Sequence, residues 1–310
     1  MEDNLVRKSK NITLADFIII EKLKMNPSST IELHKELSNY GINISPRSVT
    51  RHLQKIPNIF DVIINSKLEN NVPKYEIGNS EIIDEFFEMG KSIFTYYHLF
   101  NAILRNKKTA NHIIIDSVKS KGLEYAEIIL QAIEHNRILE IKIREIGEDK
   151  TATVFVRPYL LKSYLNRWYI IGSKGKSNEV ERFALYKIEG VYLTSNYFTM
   201  PKIDKVKEKY NQIIGVTHYD DNPSKPPKVV IEFIDYQFKY FKTEPWVKEY
   251  EVEERSKNDK TVIVSFYVHP NNELHQRILF NNVKCRVLEP KSLVDDIKEI
   301  LNKTIKLYKN

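Results

Sequence analysis

Ser45-Pro46-Arg47-Ser48-Val49-Thr50-Arg51-His52-Leu53-Gln54-Lys55-Ile56-Pro57 carries two interleaved patterns. Val49, Leu53 and Ile56 repeat at i, i+4 and i+7, the spacing of one buried helix face. Arg47, Thr50, Arg51 and Gln54 repeat at i, i+3, i+4 and i+7 on the opposite face. Ser45 is placed to cap this helix, Pro46 takes the favoured first position, and Pro57 is expected to end it. One stripe therefore meets a core while the other presents hydrogen-bond donors outward. Arginine and glutamine can each grip a guanine or adenine edge through two hydrogen bonds, and threonine can touch a phosphate or a thymine methyl.

Working outward from this helix, Thr13 with Asp16 and Ser29 with Glu32 have capping-box spacing. Leu14, Phe17, Ile18 and Leu23 form the stripe of a first helix that stops before Pro27. Leu33, Leu37 and Tyr40 form the stripe of a second, stopped by Gly41. After the third helix, Val62 and Ile64 alternate, Asn70-Asn71 supplies turn residues, and Tyr75 and Ile77 alternate on the return. Three helices and a hairpin describe a winged helix over residues 1–78, with Arg47, Ser48, Thr50, Arg51 and Gln54 as its expected DNA-contacting set. This segment holds 11 basic and 9 acidic side chains, a net of only +2. One head thus releases few counterions from DNA, and a homodimer placing two heads on one double-stranded operator is expected.

Residues 79–136 read as helices, with Ile83, Phe86, Phe87 and Ile93 in one apolar pattern and Tyr125, Ile128, Ile129 and Ile133 in another. They are expected to connect and to dimerise. At Arg137 the period becomes two: Leu139, Ile141 and Ile143 alternate with charged residues, as do Ala152, Val154 and Val156 with Thr153, Phe155 and Arg157. Short strands separated by turns through residue 201 predict a strongly bent antiparallel sheet or barrel. Residues 202–228, rich in proline and lysine and containing Asp220-Asp221-Asn222-Pro223-Ser224, read as a linker with one helix near 206–214. Residues 229–310 read as βαββαβ plus a final helix, the order of a ferredoxin-like module.

Composition narrows the function. The chain has 310 residues, a formal charge of +7 and 42% hydrophobic residues, values of a soluble multidomain protein, and no membrane span or signal peptide is expected. A single cysteine, Cys285, excludes an intrachain disulfide framework or a cysteine-rich metal site and suits a cytoplasmic setting. The fragments Gly90-Lys91-Ser92 and Gly175-Lys176-Ser177 have Glu85 and Ile170 where a phosphate loop needs its first glycine, and Gly-x-Gly-x-x-Gly is absent. His-Glu-x-x-His and Gly-x-Ser-x-Gly are absent too. No catalytic residue, cofactor or metal is therefore expected. A nuclease or phosphodiesterase acting on nucleic acid, or an accessory regulator of one, is the alternative.

Within the β-region stand Val156-Arg157-Pro158-Tyr159, then Arg167-Trp168-Tyr169-Ile170-Ile171, then Arg182-Phe183-Ala184-Leu185-Tyr186-Lys187-Ile188. In order and spacing this set resembles the WYL domain family. Ile170 stands for the family's leucine, Tyr186-Lys187 for an aspartate-arginine pair, and Glu181-Arg182 places the arginine beside the phenylalanine. Residues 44–53 resemble the recognition helix of the family's N-terminal module, with His52 in place of an aspartate. Phe280 to Pro290 and the helix ending at Tyr308 resemble its C-terminal WCX extension.

The resemblance implies a dimeric bacterial transcription regulator of α+β multidomain build. Its parts would be a winged helix (1–78), a helical linker (79–136), a Sm-like small β-barrel or WYL domain (137–201), a linker (202–228) and a ferredoxin-like WCX module (229–310). The barrel would sense nucleic acid or a nucleotide. Residues 137–201 hold 11 basic and 7 acidic side chains, so an anionic ligand suits them. Arginine forks grip phosphate and tyrosine rings stack on bases. Arg157, Tyr159, Tyr164, Arg167, Tyr169, Arg182 and Lys187 form the expected ligand set. Trp168 and Tyr169 are neighbours on a strand and cannot both point inward; the resemblance favours Tyr169 and Arg157 for the sensing surface, with Trp168 at least as well suited to the core.

Overall fold

Thr13 starts the first helix because its backbone N–H and hydroxyl both donate to Asp16 Oδ2, at 2.7 and 2.9 Å. In the computed structural model this helix, α1, spans Leu14–Met25. The structure describes residues 12–78, 84–105, 121–144, 150–219, 225–256 and 260–309. It divides into two units, Met1–Asp116 and Ser117–Asn310.

In the first unit, α2 (Thr30–Asn39) opens on a reciprocal box: Ser29 N–H donates to Glu32 Oε2 at 2.7 Å and Glu32 N–H to Ser29 Oγ at 3.3 Å. Tyr40, expected on the apolar stripe, is instead the exposed C-cap residue, and Gly41 follows with φ 72°. The third helix, α3 (Pro46–Phe60), runs through Pro57 rather than ending there. Proline costs one intrahelical hydrogen bond, but the last turn is held from outside by Phe60, whose ring meets Phe17 edge-on at 5.3 Å. Strands β1 (Ile64–Glu69) and β2 (Val72–Ile77) pair antiparallel around Asn70 and Asn71, both with positive φ, the turn whose twist suits a tight hairpin. Ser28 bridges to Tyr75 on β2. Ile18, Ile19, Ile20, Leu33, Leu37, Val49 and Ile56 fill the core between them.

Helix α4 (Asp84–Arg105) also belongs to this unit. Phe87 and Phe94 pack on Phe17 at 5.3 and 5.4 Å. Gly90 permits that approach, since a Cβ there would lie 2.7 Å from the Phe17 ring. Ile83 and the side chain of Phe86 fall outside the described residues. Ile93, expected in the same apolar pattern as Phe87, is exposed.

In the second unit, α5 (Ala126–Glu134) covers a five-stranded antiparallel sheet. Its strands are β3 (Arg137–Arg144), β4 (Thr151–Tyr164), β5 (Arg167–Lys174), β6 (Glu181–Ala184) and β7 (Ile188–Tyr197), in the order β6-β5-β4-β3-β7. Ile129, Leu139, Ile141, Val156 and Ile170 form its core. Among the described residues, the segment expected as a helical linker thus supplies α4 to the first unit and α5 to the second.

After α6 (Ile203–Asn211) come β8 (Lys228–Ile234), α7 (Gln237–Thr243), β9 (Glu251–Arg255), β10 (Thr261–Tyr267), α8 (Asn272–Phe280), β11 (Cys285–Glu289) and α9 (Lys291–Leu307). The four strands pair antiparallel in the order β11-β8-β10-β9, over a core of Phe233, Phe238, Phe241, Phe266 and Leu274. Asp220-Asp221-Asn222-Pro223-Ser224 lies outside the described residues.

Candidate functional site

On α3 the two stripes separate as their spacing requires: Val49, Leu53 and Ile56 are buried while Arg47, Arg51 and Gln54 are exposed. Ser48 and Thr50 are half-buried and locally engaged. Ser48 N–H donates to Ser45 Oγ at 3.2 Å, capping the helix, and Thr50 Oγ1 donates to the Pro46 carbonyl at 3.4 Å. Arg47, Arg51 and Gln54 therefore form the outward polar edge. The helix is anchored behind that edge by charge. Asp16, fully buried on α1, lies 2.6 Å from His52 Nδ1 and 2.9 Å from Lys55 Nζ. Burial alone would raise the Asp16 pKa, but the hydrogen bonds and charges of His52 and Lys55 outweigh it and hold the carboxyl below its usual range.

In the second unit a cavity of about 870 Å³ opens beside the five-stranded sheet. Tyr164, Arg167, Tyr169, Arg182 and Lys187 all line it, five of the seven residues expected to bind a ligand. Local backbone explains the gathering. Leu165 and Asn166 both take positive φ in a two-residue turn, so Tyr164 and Arg167 face each other across β4 and β5. Arg167 then lies over the Tyr186 ring at 4.9 Å. Tyr169 sits half-buried, and burial first, then neighbouring Tyr186, raises its hydroxyl pKa against the opposing pull of Arg167. Trp168 points to the other face and packs on the sheet's core.

The remaining two residues are placed elsewhere. Tyr159 is buried against Phe198, with its hydroxyl 2.6 Å from Ser173 Oγ. Arg157 reaches the turn after β5 and donates from Nη2 to the Ser177 carbonyl. A bulge accounts for the position of Tyr159. Pro158 pairs with Gly172 and Leu160 with Ile171, so Tyr159 is the extra residue, and strict alternation fails at that point. Gly172 is required there, because a Cβ would come within 2.3 Å of the Arg157 carbonyl oxygen.

Residues that the sequence did not single out complete the cavity: His218 beyond α6, and Asn272, Glu273 and Gln276 on α8. Only Asn271, a helix-capping residue type before this segment, hints at them in sequence, because their approach to the sheet is set by long-range packing. Asn271 Nδ2 donates to the carbonyls of Ile214 and Thr217 at 2.7 and 2.8 Å, locking residues 214–217 against α8. Among the described residues no cluster of histidine, cysteine, aspartate or glutamate could hold a metal. No described helix is long and apolar enough to cross a membrane.

Residues 124–193, which take in α5, β3 to β6 and the first part of β7, match the WYL domain family. Among solved structures the chain is similar to the proteasome accessory factor B/C (PafBC) of Arthrobacter aurescens. The identity is 14% and the TM-score 0.27, over 96% of this chain and 49% of that one. It is also similar to a CRISPR Cas-related protein, at 10% identity and a TM-score of 0.24, over 60% of this chain and 51% of that one. The chain thus spans about half the length of each. No curated protein matches it.

Proposed function

We propose that this chain is a DNA-binding transcription regulator, acting as a dimer, whose WYL domain senses an anionic ligand, single-stranded nucleic acid or a nucleotide. The observation that carries the reading is the division of α3, with Val49, Leu53 and Ile56 buried and Arg47, Arg51 and Gln54 exposed just before the β1–β2 hairpin. That arrangement suits a winged helix, in which such a helix enters the major groove. The ligand half rests on Arg167, Arg182 and Lys187 sharing one cavity with Tyr164, Tyr169 and Tyr186. The strand order of the sheet suits a Sm-like barrel, and β11-β8-β10-β9 suits a ferredoxin-like WCX module. Dimerisation is supported by α4, which exposes Ile93, Tyr96, Tyr97 and Phe100 at i, i+3, i+4 and i+7.

Two heads related by a two-fold axis should read an inverted repeat with half-sites about one helical turn, or a multiple of it, apart. Selection of bound fragments from random duplex DNA, followed by footprinting, tests this. Recovery of an inverted repeat supports the reading, and binding that shows no sequence preference overturns it. Adding single-stranded oligonucleotide or nucleotide should shift operator affinity by its differential affinity for the two states of the dimer.

A further inference from the structure

His52 uses only one of its two ring nitrogens to hold the fold. Its Nδ1 lies 2.6 Å from Asp16 Oδ1, while Nε2 has no hydrogen-bond partner among the described residues. The side chain is 15% exposed, and with the Nδ1 edge turned onto a carboxylate that has no exposure, the Nε2 edge is the open one. That edge borders a cavity of about 540 Å³ lying wholly within the first unit. Around His52 its walls are the first turn of α1, the turn between α2 and α3, and one face of α4, where Phe94, Tyr97, His98 and Asn101 recur at i, i+3, i+4 and i+7. Gly41, in the turn between α2 and α3, adjoins open space: a Cβ there would meet nothing within 4 Å.

Ile12, Leu14, Ile42, Ile44 and Phe94 make these walls mainly apolar, as in sites for small organic molecules. Among the described residues no aspartate, glutamate, lysine or arginine lines them. The polar side chains that do, including His52, His98, Tyr97 and Asn101, can all donate a hydrogen bond. The first turn of α1 brings the positive end of that helix's dipole to the same wall. An apolar body carrying one negative group is therefore complementary to this cavity. A nucleotide is not, because its phosphate would find no arginine or lysine here.

We propose that this cavity is a second ligand site, which takes a small aromatic carboxylate with its ring against Ile42, Ile44 and Phe94 and its carboxyl group on His52 Nε2. The pairing holds in either protonation state, since the shared proton sits on the ligand oxygen or on Nε2 and the hydrogen bond is kept. Asp16 is a positioning residue, fixing the imidazole through Nδ1. A ligand bound there touches α3 through His52 and α4 through Phe94, and so ties the helix that carries Arg47 and Arg51 to α4.

The test is isothermal titration calorimetry of the full chain with 2-naphthoate and with 2-naphthamide, its uncharged counterpart of the same shape. The wild type should bind the acid about tenfold more tightly than the amide, the difference expected of one hydrogen bond to a charged group. His52→Asn keeps a donor for Asp16, because the asparagine amide nitrogen stands as far along the side chain as Nδ1, and it removes the group at Nε2. This variant should hold acid and amide alike. Asn101→Trp, which fills the cavity from α4, should lose both while its melting temperature stays near wild type. If His52→Asn melts early, Asn101→Trp decides alone. Arg182→Ala, in the second unit, should bind 2-naphthoate as the wild type does, so this site and the anion site beside the five-stranded sheet stand or fall separately. No binding of 2-naphthoate at millimolar concentration, an acid preference that survives in a folded His52→Asn, binding that survives in Asn101→Trp, or loss of binding in Arg182→Ala overturns the proposal.

Discussion

Asp16 on α1 and His52 on α3 are joined at 2.6 Å through a carboxylate with no solvent exposure, and Lys55 completes the group one turn further along α3. The helix that presents Arg47 and Arg51 is thereby tied, on its inner side, to the helix beneath it. His52 is also the position where the sequence departs from the recognition-helix pattern it resembles, and the acid it meets comes from another helix.

Asp16→Ala should therefore lower stability by about 3 kcal/mol, the cost of leaving partly buried cations without their anion. Asp16→Asn, which keeps an acceptor for Thr13, should cost less. The sign with pH follows from the depressed pKa. Asp16 contributes fully above its ordinary value of 3.8, and the contribution is lost as pH falls through the lower folded value. Urea unfolding of wild type and Asp16→Asn between neutral pH and pH 3 checks this. The gap between them should narrow on acidification.

The two faces of α3 should separate stability from binding. Leu53→Ala opens a cavity in a filled core and should destabilise by about 2–5 kcal/mol. Arg51→Ala, at an exposed position, should leave the melting temperature unchanged and cost about 1–3 kcal/mol of operator binding. If the contact is to a base, the loss will fall on one operator position. If it is to phosphate, all sequences will weaken alike. Thermal melts alongside gel shifts on single-base operator variants decide between these outcomes.

Local signals carried much of this architecture. Capping boxes at Thr13 and Ser29, the Asn70-Asn71 turn and the change of period at Arg137 each act over a few residues, so they are readable in one dimension. The candidate site was legible where alternation held, at Tyr164, Arg167 and Tyr169, and failed at Tyr159, where a bulge inserts one residue and sends the ring into the core. The extension of α3 past Pro57 was hidden because Phe60 is held by Phe17, 43 positions earlier in the chain. Glu273 was hidden for the same reason: its partners Val216 and Thr217 lie 57 and 56 residues away.

Cys285 is buried on β11, and burial pushes its thiol up to about 12. It should react with iodoacetamide at pH 8 only as fast as the C-terminal sheet opens, because the thiolate is the nucleophile. Labelling followed by mass spectrometry across a urea series should show modification rising with the unfolding transition. Rapid stoichiometric labelling in buffer would contradict the placement.

The cavity and the core beneath it should respond to substitution in opposite ways. Arg182 is exposed and Lys187 half-exposed at the cavity, so alanine at either should leave stability near wild type and weaken an anionic ligand. Tyr159→Phe removes only the hydroxyl that meets Ser173, and strands that buried serine without its partner. It should cost about 1–3 kcal/mol of stability and leave ligand affinity intact, since Tyr159 does not line the cavity. Arg157→Ala frees the Ser177 carbonyl and should loosen the turn after β5, with any ligand effect smaller than that of Arg182→Ala. Calorimetric melting and oligonucleotide titration on the four single variants separate these roles. A ligand loss in Tyr159→Phe equal to that in Arg182→Ala, without a change in melting temperature, would move the binding surface from this cavity toward the Tyr159–Ser173 pair.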